Sequence, residues 1–397
     1  MMPRSIGLSL LILVHAHIAF ASESIVENPI ESATALIKAA SRGDLARVKE
    51  LVDAGVDVNA RDMNGKTALM SAAAWDRLEI ARFLLDSSAE VNARNNCGCT
   101  ALFSAARWNH PEMVKLLIQA GAEINIKERN GFTPLHMAIR KCKTDCATLL
   151  CEKGAEYTLV PMFEVTPLSF AAKEGCVEIC RFFVEEMGRD VNERNPDKST
   201  PVLSLVMTST CENCPQVDRK PALKYLISRG ADCNLADDQG NVPVMGSIYS
   251  RDPELTRLLI EGGANPNLES HGVTPLTVAT VEGFVEMVRV LLDHGADIHH
   301  VAKETEPMVT LSAELGNDEI TRMLIEEGAD VNATDETGAT CLMFAASQGK
   351  PDLVEFMIDR GAKISRQDNA GKSALWYATA NKRYDTIKLL LDAGAEE

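Results

Sequence analysis

Residues 131–150 read GFTPLHMAIRKCKTDCATLL. Two readings compete there: a scaffold segment led by Thr133, Pro134 and Leu135, or a reactive segment in which Cys142 and Cys146 bind metal or form disulfides. Residue chemistry favours scaffold. Thr133 suits the position before a helix, where its hydroxyl accepts a backbone N–H, and Pro134 suits the first helical position, where a missing donor costs nothing. Leu135, Ala138 and Ile139 then give a short inner helix of mostly small residues. Cys146, Leu149 and Leu150 share the apolar face of a second helix, and Gly154 ends it in a left-handed conformation.

The same grammar recurs along the chain. Thr34, Thr67, Thr100, Thr133 and Thr166 stand 33 residues apart. A sixth unit starts at Thr200 after a slip of one residue, and a seventh at Val242 after a longer insertion; Thr274, Pro307, Thr340 and Ser373 follow. The spacing therefore predicts eleven units across 34–397. Gly55, Gly121, Gly230, Gly263, Gly295, Gly328, Gly361 and Gly394 occupy the place of Gly154, and stretches such as Asp62–Gly65 carry turn chemistry back to the next unit. No such unit buries its apolar face alone, so neighbours must stack into one continuous core.

The strings TPLHMA (Thr133–Ala138), TPLSFAA (Thr166–Ala172), GADVNA (Gly328–Ala333) and GAEIN (Gly121–Asn125) resemble ankyrin repeats. The resemblance implies an all-α, ankyrin-repeat solenoid of helix-turn-helix units with β-hairpin-like tips. It also implies a non-catalytic module that binds a protein or peptide through its concave groove and its tips. Two departures stand out. Val202–Leu226 lengthens the inter-helix turn of the sixth unit, and Ser247 and Ile248 replace the small alanine pair in the seventh. The irregular stretch with an insertion at about 200–241, together with the altered seventh unit, places the expected hinge or bulge at units six and seven.

Charge and termini narrow the classes. A formal net charge of −17 opposes general nucleic-acid binding, which needs a basic footprint, and 46 % hydrophobic residues exclude wholesale disorder. Arg4, the apolar run Ile6–Val14 and Ala19–Ala21 predict a cleavable signal over 1–21, with 22–33 as a leader to the first repeat. Export to a periplasm or out of the cell is expected, without stable membrane insertion after cleavage; the alternative is an uncleaved anchor. The strings at Gly65–Thr67 and Gly371–Ser373 lack the earlier glycine of a phosphate-binding loop, and Asp330–Glu336 lacks the glycine of a calcium loop. No cofactor, resident metal or catalytic residue is expected. His136 reads as a structural histidine, and Asn332–Ala333–Thr334 as a glycosylation sequon within a loop.

Eleven cysteines leave at least one unpaired in a monomer. Cys146, Cys180 and Cys341 fall at core positions. Cys142 and Cys176 fall in the inter-helix turns of units four and five, and Cys211 and Cys214 in the lengthened turn of unit six. The expected disulfide joins Cys176 to Cys211 or Cys214, or closes the Cys211–Cys214 loop. A zinc site has only that one C-x₂-C pair to draw on. A thiol-based redox or metal module along this edge is the alternative to a pure interaction protein.

In the register that the resemblance implies, the eighth and ninth residues of each unit line the groove. They include Arg42, Trp75, Arg107, Trp108, Arg140, Lys141 and Lys173, with Phe132, Met162 and Phe163 at neighbouring tips. Residues 61–150 carry 12 Lys or Arg against 9 Asp or Glu, whereas residues 251–350 carry 6 against 18. A basic, aromatic surface predicts an acidic partner, since Trp and Arg dominate binding hot spots. The competing reading has the tryptophans covering core and the charges merely solvating helices. A further alternative is salt-sensitive self-association of basic and acidic halves.

Overall fold

The computed structural model describes residues 29–161, 163–207, 217–299 and 307–396. Among these residues there are 22 α-helices and one π-helical turn, with no β-strand. The helices come in pairs. Pro29–Arg42 with Leu45–Asp53, Ala68–Ala74 with Leu78–Asp86, Ala101–Trp108 with Pro111–Gln119, and Pro134–Arg140 with Thr144–Glu152 are the first four. Within residues 29–189 and within residues 190–396, first helices pack on first helices of the adjacent pair, and second on second.

Local chemistry builds each pair as the sequence predicts. The hydroxyls of Thr67, Thr100, Thr133, Thr166, Thr200 and Thr274 each accept the backbone N–H three residues on, at 3.2–3.3 Å. Such a cap contributes about 1 kcal/mol. Thr34 differs. The first helix already runs from Pro29, so Thr34 lies inside it and its hydroxyl donates to the Ile30 carbonyl at 2.7 Å. Leu135, Ala138, Ile139, Cys146, Leu149 and Leu150 are all buried, as the apolar pattern of unit four requires.

The tips are hairpin-like without being strands. Isolated antiparallel bridges pair Val160 with Val165, Ser270 with Val273, Thr334 with Thr340 and Gln367 with Ser373. At other tips an Asx turn does the same work: Asp62 Oδ1 accepts from the N–H groups of Asn64 and Lys66 at 2.9 and 2.8 Å, and Asn95 Oδ1 accepts from those of Cys97 and Cys99 at 3.0 and 2.9 Å. Gly65 must be glycine there. Its φ is +70°, and a Cβ would sit 2.7 Å from Asn96 Oδ1 of the next tip.

The chain divides into two compact units, one ending at Arg189 and one beginning at Asp190. The division thus falls ahead of the insertion where the sequence suggested a hinge. In the first unit the last pair is Pro167–Lys173 with Val177–Arg181, and the latter passes into a π-helical turn, Phe182–Glu186. In the second unit, Pro201–Val206 pairs with Lys220–Ser228 and Pro243–Tyr249 with Pro253–Glu261. Val206 is bulky where six other units have alanine, and Gly246 receives it: a Cβ on Gly246 would lie 2.8 Å from Val206 Cγ2. Pro275–Val281 with Val285–Asp293, Met308–Glu314 with Asp318–Glu326, Cys341–Gln348 with Pro351–Asp359 and Ala374–Ala380 with Tyr384–Asp392 complete the unit.

Candidate functional site

The residues that the sequence assigned to partner binding lie at the carboxyl ends of the first helices. Arg42, Arg107, Arg140 and Lys173 each stand in the last turn of their helix. Cations there are also favoured by the partial negative charge of the unsatisfied carbonyls, which gives these positions a structural reason to be basic. The aromatic residues separate the two readings better. Trp75 is 59 % exposed and Trp108 54 % exposed, so neither covers core. The Arg107 guanidinium lies 5.5 Å from the centroid of the Trp108 ring. Lys141, directly after Arg140, is exposed.

The tips are less uniform. Phe132 is a correction, because it is buried at 4 % exposure. Its ring packs edge-on against His136 at 6.2 Å and lies under Arg140, while its N–H donates to Glu128 Oε1 at 3.2 Å. It holds the tip closed and offers no surface. Phe163 is 38 % exposed, stacked on Phe170 at 5.7 Å with Lys173 Nζ 4.0 Å above its ring. Met162 lies outside the described residues. In the second compact unit a different row occupies the equivalent helix ends: Met207, Tyr249, Val281 and Leu315 are exposed large apolar residues, beside exposed Glu282 and Glu314.

The cysteine edge departs from expectation. Cys176 is bonded to Cys142, with a Cα–Cα distance of 5.2 Å, and so does not pair with Cys211 or Cys214. Those two residues lie outside the described part of the chain. Stacking puts the turn of one pair directly beside the turn of the next, which brings Cys142 to Cys176. Among the described residues no group of three or more His, Cys, Asp and Glu side chains is placed to hold a metal ion. Burial pushes the thiols of Cys146, Cys151, Cys180 and Cys341 up to about 12, and those of Cys99 and Cys233 up to about 11. Such groups stay protonated at neutral pH and are poor nucleophiles.

Neighbouring turns are linked by a recurring bond. The Arg77 Nε donates to the Ser41 carbonyl at 3.3 Å, His110 Nε2 lies 3.2 Å from the Ala74 carbonyl, and Asn317 Nδ2 donates to the Thr280 carbonyl at 3.0 Å. Arg383 Nε donates to the Ser347 carbonyl at 2.9 Å. On the tip side, an asparagine four residues after Gly55, Ser88, Gly230 or Gly328 clips its pair to the next. Asn59, Asn92, Asn234 and Asn332 accept a backbone N–H of the following unit at 2.7–2.9 Å and donate to one of its carbonyls at 2.8–3.4 Å. The two side-chain bonds of Asn332 run to Lys363 and Gly361 of the next unit. His136 is structural, as expected: its Nδ1 accepts from Thr133 N–H and its Nε2 lies 3.2 Å from the Thr158 carbonyl.

These capped pairs, left-handed glycines and asparagine clips agree with the family comparison. The profile described as Ankyrin repeats (3 copies) matches residues 9–95, 87–161, 130–195, 214–302 and 309–397. The chain belongs to the ankyrin-repeat family. Among curated proteins it is similar to alpha-latrocrustotoxin-Lt1a of Latrodectus tredecimguttatus, 27 % identical over 37 % of this chain and 11 % of the relative. A putative ankyrin repeat-containing protein of Treponema pallidum is 32 % identical over 25 % of this chain and 32 % of the relative. The nuclear factor NF-kappa-B p105 subunit of Gallus gallus is 30 % identical over 29 % and 11 %. This ankyrin-repeat chain therefore spans at most about a third of the length of these relatives. Among the described residues no helix is long and apolar enough to cross a membrane.

Proposed function

We propose that this ankyrin-repeat protein is a non-catalytic interaction module that captures an acidic protein or peptide on the first compact unit. The observation that carries the reading is the exposure of Trp75 and Trp108 at successive helix ends, beside Arg42, Arg107, Arg140, Lys141 and Lys173. An exposed indole with a guanidinium over its face binds readily to apolar residues set among carboxylates. Ankyrin repeats are generally protein-interaction modules, which supports the class. We infer an array of eleven repeats, one for each of the eleven helix pairs among the described residues.

The test compares wild type with a Trp75→Ala, Trp108→Ala, Arg140→Ala variant. Exposed positions cost less than about 0.5 kcal/mol each, so the variant melts as wild type does. Partners that wild type retains and the variant loses are expected to be acidic and to dissociate at raised salt. Retention of the same partners by both proteins, or loss of basic ones, refutes the reading.

A second occupant is supported by the row Met207, Tyr249, Val281 and Leu315 with its acidic neighbours. A second copy of the chain can set its basic, aromatic helix ends on this row. Head-to-tail contact of that kind need not close into a ring. Sedimentation at low and high salt decides it: a monomer at both, at high protein concentration, removes self-association. We also propose export, from the pattern around Arg4 and Ala19–Ala21 and from a disulfide that persists in oxidising compartments. Amino-terminal sequencing of the mature protein should begin at Ser22; an intact residue 1 overturns cleavage.

A further inference from the structure

We propose that the Cys142–Cys176 bond is a redox-responsive clamp whose reduction uncouples the helix pair starting at Pro134 from the pair starting at Pro167. In the turns described above, the side chain at this place reaches back to the preceding pair by a hydrogen bond: Arg77, His110, Asn317 and Arg383 each do so at 2.9–3.3 Å. Cys176 stands at the same place, and its link to the preceding turn is covalent. A link that elsewhere responds to neither oxidant nor reductant is here set by the thiol–disulfide balance around the protein.

The clamp is built asymmetrically. Cys142 is exposed, whereas Cys176 is buried at 4 % exposure. An incoming thiolate therefore meets Cys142 first. Exposed Lys141 and half-buried Lys143 flank it and favour an anionic attacker. Behind Cys176 the second helix is irregular. Val177–Arg181 has five residues before the π-helical turn begins, and the Cys176 side chain makes no capping hydrogen bond at its start. Once the sulfur bridge opens, the side-chain link from Cys176 to the preceding pair falls to the weak contact of its thiol with the Ile139 carbonyl at 3.2 Å.

The chemistry balances with a dithiol as reductant. One thiolate of the dithiol attacks Cys142 Sγ, the bridge breaks, and Cys176 leaves as a thiolate that takes a proton. The second thiolate then attacks the reductant's own sulfur in the mixed disulfide and releases Cys142. Two electrons pass to the protein, which gains two thiol protons, and the dithiol ends as a cyclic disulfide. Arg140 and Lys141 directly precede Cys142, and Lys173 lies shortly before Cys176. The clamp therefore also fixes the register of basic residues assigned above to partner binding; that consequence rests on the assignment, whereas the clamp itself does not.

Amide hydrogen exchange on the full chain tests it, with and without dithiothreitol, beside a Cys142→Ser, Cys176→Ser variant. Reduction should speed exchange in 134–152 and 167–186 by about tenfold or more, consistent with the hundredfold order expected for closing a loop of this length. Helices between Ala68 and Gln119 should be unchanged, the variant should match the reduced form, and reoxidation should restore protection. Because reduction is applied to folded wild type, a variant that fails to fold leaves the test intact. Equal exchange in the two redox states, or faster exchange throughout the chain, overturns the clamp. Limiting dithiothreitol followed by mass mapping should find the mixed disulfide on Cys142; finding it on Cys176 overturns the order of attack.

Discussion

At the scale of single residues, a buried histidine and half-buried asparagines do the work that repeats cannot leave to apolar packing. His136 has no exposed surface, and its Nδ1 accepts from the Thr133 N–H, so the ring is neutral with its proton on Nε2 facing the Thr158 carbonyl. Burial holds its pKa below the ordinary value of 6.5. The unfolded chain thus takes up a proton near pH 6.5 that the folded chain refuses. The contribution of His136 is complete above that pH and declines as pH falls below it. Urea midpoints between pH 8 and 5 should fall more steeply for wild type than for His136→Gln; parallel curves would refute this. Asn332→Ala removes two bonds to the next pair, at 2.8 and 3.1 Å, and should cost about 1–2 kcal/mol in equilibrium unfolding. The same engaged Nδ2 predicts that the sequon stays unglycosylated in a eukaryotic host, which peptide mass after secretion will check.

At the scale of elements, the π-helical turn Phe182–Glu186 explains the one-residue slip between Thr166 and Thr200. A π-bulge is an α-helix that has absorbed one extra residue. The neighbouring repeats keep their register because the surplus is taken up in the second helix, where it leaves Phe183 fully buried. Deleting Glu186 should restore α-helical hydrogen bonding and leave the melting temperature unchanged or raised. Deleting Lys115 from the regular helix Pro111–Gln119 should unfold that repeat; circular-dichroism melts that treat the two deletions alike would sink the explanation. Gly246→Ala sets helix propensity against packing. Propensity gains about 1 kcal/mol, but the new methyl would meet Val206 Cγ2 at 2.8 Å in a fully packed site. Val206 is β-branched and buried, so it cannot swing away, and a net loss of about 1–2 kcal/mol is expected by urea titration. A gain in stability would mean that the site relaxes.

At the scale of the whole molecule, two compact units of unequal charge, one with 21 Lys or Arg against 23 Asp or Glu and the other with 19 against 34, should behave differently in salt. Residues 251–350 carry 18 acidic against 6 basic side chains, and such an excess of one sign repels itself. Trp376 reports on the second unit, and Trp75 and Trp108 on the first. Variants retaining only Trp376 or only Trp108 should therefore show distinct urea transitions. Added sodium chloride should raise the Trp376 midpoint and leave the Trp108 midpoint nearly still. Coincident transitions at every salt concentration would mean that the units unfold as one.

Much of this was legible in the residues themselves. The threonine caps, the glycines that end second helices and the core places of Cys146 and Cys180 follow from requirements that each unit meets within its own chain segment. The basic and aromatic helix ends could be listed, yet their exposure could not. Phe132 and Trp108 are both large and apolar, and only the packing of a tip against its inner helix buries the first and leaves the second in solvent. The sequence marked Cys176 as a bridging residue and misplaced its partner, because sulfur pairing depends on which turns come within about 6 Å. It showed an extra residue before Thr200 without saying which element holds it. Local backbone chemistry by itself determined the repeat, and hence the family. Tertiary stacking alone decided which side chains meet across neighbouring pairs, since those contacts join residues some thirty positions apart that no local rule brings together.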